Sequence, residues 1–370
     1  MRKRRLDARP SVSPGGFFCD RIGGVAPDPR TDIRDLTLPE LKAELEALGE
    51  RPFRAGQIFD WLYKKKVPGF DGLANLPRGL RQALAARFAF RELEPADTIA
   101  SSDGTTRFLF RLHDGEHVES VLIPAGRRLT ACLSTQVGCK FGCAFCASGR
   151  HGFKRHLAPS EIVGQVLVLE RALGRRLSNL VFMGMGEPLD NWDSVERAIR
   201  IMNAPEGLAV AARRMTISTA GFLDAFGRLE ALDLQINLSV SLHAVTDRLR
   251  DRLMPINRRF PLEELVAVAE SYIRSGGRML TLEYILLRGL NDSLDDADGL
   301  AAIARRLRAK VNLIGYSPVE GAPFETPPQA EVARFARWLE ERKIKTLVRL
   351  SKGADIAAAC GQLAGRPGRS

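Results

Sequence analysis

Between residues 129 and 342 of this 370-residue chain, six short apolar runs alternate with amphipathic helical patterns, and this alternation constrains the fold more than any other feature. The runs fall at 129–134, 179–183, 214–218, 235–241, 280–287 and 311–316. The helical patterns fall at 160–173, 192–202, 223–232, 262–274, 293–308 and 328–342. A strand followed by a helix and then another strand forces parallel pairing, because the crossover returns the chain to the same end of the sheet. Six such units predict an α/β fold whose parallel sheet is closed or partly closed into a barrel. Ahead of them, TTRFLFRL and HVESVLIP alternate with period two and predict a hairpin.

The N-terminal third reads differently. Residues 1–31 are rich in Arg, Pro and Gly without periodicity and are expected to form a flexible basic tail. Helix should begin at Thr37-Leu38-Pro39-Glu40, which has capping-box spacing with proline in the first turn, and stop at Gly49. Helical periodicity resumes from Arg54 to Phe88, so 32–100 reads as a small helical domain, 101–350 as the barrel with its hairpin, and 351–370 as a C-terminal tail. The run Lys64-Lys65-Lys66 suits either phosphate contact or a solvated helix end.

Composition is globular, with 45% hydrophobic and 27% charged residues. No run reaches the roughly 20 apolar residues that span a bilayer, and MRKRRLDARP lacks the apolar centre of a secretory signal, so the cytoplasm is the expected location. A net charge of +11 makes a polyanion a reasonable partner, although charge of this size also arises from solvated faces alone.

Six cysteines occur, Cys19, Cys132, Cys139, Cys143, Cys146 and Cys360, and three of them crowd one CxxxCxxC, Cys139-Lys-Phe-Gly-Cys143-Ala-Phe-Cys146, directly after the first barrel run. Three thiolates hold three irons of a cubane cluster and leave the fourth iron open. Zinc usually takes four ligands, and no second cysteine pair of suitable spacing lies nearby. Further on, Met183-Gly184-Met185-Gly186-Glu187-Pro188 follows the second run, where glycines permit close backbone approach and Glu187 offers an acceptor for an ammonium group.

A CxxxCxxC after the first strand of an alternating α/β chain resembles the radical S-adenosylmethionine (SAM) superfamily. That resemblance implies a partial (β/α)6 barrel with a small N-terminal helical domain, a [4Fe-4S] cluster on Cys139, Cys143 and Cys146, and SAM chelated to the open iron. CLSTQVGCKFGCAFCASGRHGFKRHL, FMGMGEPLDN, SVSLHA, LMPINRRFPLEEL and GADIAAACGQLAG together resemble the RlmN/Cfr family of ribosomal RNA adenine methyltransferases over about residues 35–365. The chain looks closer to the RlmN type.

This likeness implies an enzyme that consumes two SAM per methylation and builds a methyl group onto adenine C2 of 23S rRNA, with tRNA as a second substrate. An aromatic adenine carbon is not nucleophilic, which is why a radical route is needed. The resemblance makes Cys360 the residue first methylated, Cys132 the thiol that resolves the protein–RNA link through a transient disulfide, and Glu119 the proton acceptor. By residue type alone, Cys360 beside alanines would be a small core residue and Glu119 the polar face of a strand. Gly186, Glu187, Ser218, Ser241 and His243 match SAM contacts, and Ser317 stands where the family usually has asparagine. Serine keeps a hydroxyl but loses the amide's reach and second donor. A flavodoxin or ferredoxin type reductant, a monomer and no membrane partner complete the expectation. Three other readings remain open at this stage: C8 methylation of the Cfr type, a radical SAM enzyme with a non-RNA substrate, and a basic RNA-binding protein with structural zinc.

Overall fold

The structure is a computed structural model that describes residues 28–349 and 351–365. Most of the expected basic tail, including Cys19, and the last five positions lie outside the described residues.

Three helices build the N-terminal unit: α1 (Leu38–Ala47), α2 (Arg54–Phe59) and α3 (Arg78–Arg87). Helix α1 starts as its sequence dictates, because Glu40 Oε2 accepts the Thr37 backbone N–H at 2.8 Å and so satisfies a donor the helix leaves free. Helix α2 runs into a π turn, Asp60–Lys64. The lysines after it are partnered: Lys66 pairs with Glu170 at 2.8 Å, Lys64 with Asp60 at 3.4 Å, and Lys65 lies over the Trp61 ring.

The strands are β1 (Glu94–Ala100), β2 (Thr106–Arg111), β3 (His117–Ala125), β4 (Arg128–Cys132), β5 (Gln136–Gly138), β6 (Phe153–His156), β7 (Asn179–Phe182), β8 (Met215–Thr219), β9 (Asn237–Ser241), β10 (Thr281–Leu286), β11 (Lys310–Gly315) and β12 (Thr346–Arg349). Among the described residues ten of them form one sheet, in the order β1-β2-β3-β4-β7-β8-β9-β10-β11-β12. Strands β1 to β4 pair antiparallel, and every pairing from β4 onward is parallel. The remaining helices are α4 (Ala147–Arg150), α5 (Pro159–Leu173), α6 (Trp192–Asn203), α7 (Phe226–Glu230), α8 (Asp247–Leu253), α9 (Leu262–Arg274), α10 (Leu294–Arg306) and α11 (Gln329–Glu341).

Thus the six apolar runs are β4, β7, β8, β9, β10 and β11, and the expected crossovers are present, with 223–232 formed by a 3-10 turn leading into α7. Six elements go beyond the sequence reading: β5 and β6, which pair as a short hairpin, the one-turn helix α4, the polar helix α8, the seventh parallel strand β12, and β1, which extends the hairpin to Glu94, ahead of the boundary expected at residue 101. The N-terminal unit docks on α5, where Asp35 Oδ1 accepts the Ser160 N–H at 2.8 Å. One continuous apolar core runs through both parts, and a second, smaller cluster that includes Phe141, Phe145, Leu253, Met254 and Ile285 lies under the cysteine loop. No helix of the described residues is long and apolar enough to cross a membrane.

Candidate active site at the carboxyl ends of the strands

The loop after β4 and β5 carries the three clustered cysteines. Its shape depends on glycine: Gly138 has φ +73°, and a Cβ there would sit 1.8 Å from the Gly152 carbonyl oxygen. Phe141 and Phe145 bury their rings beneath the loop, while the Ala144 N–H donates to Leu253 O at 2.9 Å and ties it to α8. Cys139, Cys143 and Cys146 line one cavity of about 150 Å³. Burial pushes all three up, Cys139 to about 12, and mutual repulsion adds to the rise at Cys139 and Cys143. Free thiols held this way keep their protons, which iron must displace.

The same cavity collects the carboxyl ends of β7, β8, β9 and β10. Gly184, Gly186 and Glu187 line it after β7, Ser218 and Thr219 on β8, Ser241 and His243 at and after β9, and Glu283 on β10. Gly184 and Gly186 are needed because a Cβ would meet Leu133 backbone at 2.7 Å or the Gln136 side chain at 2.5 Å. Glu187 bridges two loops: Oε2 accepts the Ala220 N–H at 2.7 Å and Oε1 the Leu189 N–H at 3.1 Å. Burial outweighs these hydrogen bonds and pushes its carboxyl up to about 7. His243 has φ 57°, and its Nδ1 accepts the Ile285 N–H at 3.1 Å, which leaves Nε2 as the donor. Burial, aided by the charge of Arg250, lowers its pKa to about 3, so the ring is neutral.

A second cavity adjoins the first and is lined by Cys132, Met183, Arg349 and Cys360, with Cys360 and Arg349 lining both. Cys132 ends β4 and is buried, and burial with the nearby Cys360 pushes its thiol up to about 12. Cys360 is exposed at the junction. The tail that carries it is fixed to the cysteine loop by Ala147 N–H to Gly361 O at 2.7 Å and Ser148 Oγ to Leu363 O at 2.6 Å.

Two expected site residues stand elsewhere. Ser317 lies outside the lining of either cavity, and its hydroxyl is 2.9 Å from that of Ser351. Without the reach of an asparagine it is spent on a local contact. Glu119, on β3, is 0% exposed and also lies outside both linings. Its Oε2 accepts the backbone N–H groups of Ala364 at 2.7 Å and Gly365 at 3.0 Å, and Arg107 Nη1 lies 3.3 Å from Oε1. Burial nevertheless raises its pKa.

Sequence reasoning missed Glu283 and Arg349. Glu283 Oε1 accepts from Ser239 Oγ at 3.1 Å and Asn312 Nδ2 at 3.0 Å, while Oε2 has no hydrogen-bond partner among the described residues and lies 3.8 Å from Arg349 Nη1. A carboxylate within the apolar run TLEYILL was the available signal, since a charge is rarely buried without a purpose or a partner.

Three cysteines at one rim of a partly closed parallel α/β sheet, facing glycine-lined loop ends, define the radical SAM class. The radical SAM superfamily profile matches residues 133–300, and that of the ribosomal RNA large subunit methyltransferase N-terminal domain matches 31–89. A probable dual-specificity RNA methyltransferase RlmN from Akkermansia muciniphila is 46% identical over 335 residues, covering 88% of this chain and 93% of that protein. Its counterpart from Geotalea uraniireducens is 43% identical, covering 91% and 97%. The crystal structure of a radical SAM methyltransferase from Sphaerobacter thermophilus superposes with a TM-score of 0.86 at 43% identity, covering 91% of this chain and all of that one. The chain belongs to the RlmN family of dual-specificity RNA methyltransferases.

The family's cofactors are a [4Fe-4S] cluster and SAM. The donor set fits them: three cysteines share the cavity, enough for three irons of a cubane cluster with the fourth left open.

Proposed function

We propose that this enzyme methylates C2 of an adenine in 23S rRNA, and an adenine of tRNA as its second substrate, through a methyl group carried on Cys360. The observation that carries this reading is the position of Cys360, which lines both the three-thiol cavity and the cavity of Cys132. Cys139, Cys143 and Cys146 would hold the cluster, and Gly186, Glu187, Ser218, Ser241 and His243 would receive SAM at the strand ends. When bound, cluster and SAM together supply one-electron reductive cleavage that yields a 5'-deoxyadenosyl radical.

The chain's own residues then divide the remaining work. Cys360 accepts a methyl group on sulfur and presents it at the cavity junction. Cys132, in the cavity it shares with Cys360, would attack that sulfur as a thiolate; the bond from sulfur to the bridging carbon breaks, its electron pair leaves with the product carbon, which takes up a proton, and external reductant reopens the resulting disulfide before the next cycle. Glu119 removes the proton from the modified carbon, and burial, by raising its pKa, moves it toward the range that suits a general base. That duty requires the amides of Ala364 and Gly365 to leave its carboxylate, so the tail must shift between methyl loading and proton removal.

Residues 32–100 form the RNA-binding accessory domain in this reading, with 101–350 as catalytic barrel and 351–370 as methyl-carrying tail. The +11 charge favours a polyanionic substrate. A flavodoxin or ferredoxin type protein supplies electrons to a monomeric, cytoplasmic enzyme. The test is anaerobic incubation of reconstituted protein with SAM, reductant and unmodified 23S rRNA or tRNA, followed by mass spectrometry of nucleosides. The expected product is 2-methyladenosine from both RNAs. Exclusive 8-methyladenosine would overturn the regiochemistry, and 5'-deoxyadenosine without methylated base would overturn the RNA assignment.

A further inference from the structure

Helix α8 carries Arg250, whose side chain is large and fully buried, at 0% exposure. Its guanidinium donates through Nη2 to Ala220 O at 2.8 Å and Ser241 O at 3.2 Å, through Nε to Leu242 O at 3.2 Å, and through Nη1 to Asn257 Oδ1 at 2.8 Å. Every one of these acceptors is neutral. A buried arginine normally meets a carboxylate, because an unpaired charge away from water is costly. Here Asp247 and Asp251 are reached through Asn257, whose Nδ2 donates to Asp247 at 2.8 Å and Asp251 at 2.7 Å. Among the described residues the positive charge is therefore solvated by carbonyl dipoles but not neutralised by a direct ion pair.

Two consequences follow from where the guanidinium sits. Its fork joins the loop after β8 to the end of β9, the segments that bear Ser218, Ser241 and His243. Gly221, with φ +100°, brings the first loop close, since a Cβ there would sit 3.4 Å from Arg250 Nη2. The second consequence concerns the cysteine loop, which docks on the same helix through Ala144 N–H to Leu253 O at 2.9 Å. Ala144 directly follows Cys143, so that contact packs the cysteine loop onto the helix that carries the guanidinium. A cluster held by three thiolates is negative, and reduction adds a further negative charge, so a fixed nearby cation favours the reduced state.

We propose that Arg250 is a positioning residue with two effects: it fixes the strand-end loops that receive SAM, and its charge, which Asp247 and Asp251 oppose only at one remove, raises the reduction potential of the cluster. This rests on the reading that Cys139, Cys143 and Cys146 hold that cluster.

The test uses anaerobically reconstituted full-length wild type, Arg250→Gln, Arg250→Lys and Asp251→Asn. Iron and sulfide content, thermal midpoint, SAM affinity and an EPR-monitored redox titration are recorded for each. Arg250→Gln with a loaded cluster should titrate at lower potential and bind SAM about tenfold more weakly, the scale of one lost charge-assisted hydrogen bond. Arg250→Lys should hold the potential near wild type while SAM binding weakens, because an ammonium keeps the charge but not the planar fork. Asp251→Asn leaves Arg250 in place and removes a half-buried opposing charge, so the potential should rise. Unchanged potential in loaded Arg250→Gln and in Asp251→Asn would overturn the electrostatic effect, as would a fall in Arg250→Lys equal to that in Arg250→Gln. Unaltered SAM affinity in both Arg250 variants would overturn the positioning effect. If Arg250→Gln does not load iron, Asp251→Asn alone decides the electrostatic effect. Wild type that binds no iron would sink the cluster reading instead.

Discussion

The strand-end mouth and the C-terminal tail meet at Cys360 but are held by different kinds of contact. At the mouth, loops are fixed by burial, by glycines that nothing larger can replace, and by hydrogen bonds sealed from water. The tail buries Ala358, Ala359 and Leu363 but is otherwise pinned at separate polar points: Gly353 N–H to Asp103 Oδ2 at 3.1 Å, Ser101 Oγ to Asp355 Oδ1 at 2.6 Å, Gln362 Nε2 to Pro318 O at 2.8 Å, and the two amides on Glu119. Contacts of the first kind fail together, whereas the second kind release one at a time at about 0.5–1.5 kcal/mol per ordinary hydrogen bond. A preorganised site and a movable carrier are what the proposed chemistry asks of these two regions.

The largest effect should come from breaking the mouth. Cys143→Ala removes one of the three thiols proposed to hold the cluster and should abolish stable iron loading, visible absorption and methylation together. Retention of a full cluster by that variant would show that the three thiols are not its ligands. Breaking the carrier instead should separate those readouts. Cys360→Ala should load iron and still produce 5'-deoxyadenosine from SAM, yet transfer no methyl group to RNA. Methylated RNA from that variant would eliminate the carrier mechanism.

Legibility in the sequence divides along the same line. The six central strands could be read because both faces of a parallel sheet are covered, which writes unbroken apolar runs such as TLEYILL. Strand β12 could not, because TLVR is short, flanked by lysine and half exposed. Helix α8, DRLRDRL, was hidden by polarity, since its principal buried group is an arginine. The three closely spaced cysteines announced themselves by local spacing, whereas the roles proposed for Cys132, Cys360 and Glu119 needed the family resemblance. No local pattern could reveal that Glu119 holds the tail, because the amides it binds lie 245 and 246 positions away.

A smaller effect should follow from loosening the inner end of the tail. Glu119→Ala leaves the Ala364 and Gly365 amides without their acceptor, and an unsatisfied buried amide costs about 1–3 kcal/mol. Amide exchange at 363–365 should accelerate and Cys360 should react faster with iodoacetamide. Glu119→Gln keeps an acceptor oxygen and should preserve most of that protection while still losing proton removal. Equal exchange in wild type and Glu119→Ala would mean that the carboxylate does not hold the tail.

The smallest effect distinguishes the two ends of the tail by pH. At the outer end, the Thr105 hydrogen bonds hold Asp103 below its ordinary range, and Ser101 does the same for Asp355. A carboxylate with a depressed folded pKa stabilises above its unfolded value, and that contribution is lost as pH falls through the folded one. Glu119 has the opposite sign, because burial raises its folded pKa. Its contribution is complete below the ordinary carboxylate range and declines as pH rises through the folded value. Acidification below about pH 4 should therefore reduce exchange protection factors at 352–356 while sparing 363–365. Asp355→Asn should lower outer protection slightly at neutral pH and flatten its acid response. Uniform loss along the whole tail in acid would mean that the tail undocks as one unit, and the carrier would then be bistable rather than hinged at Cys360.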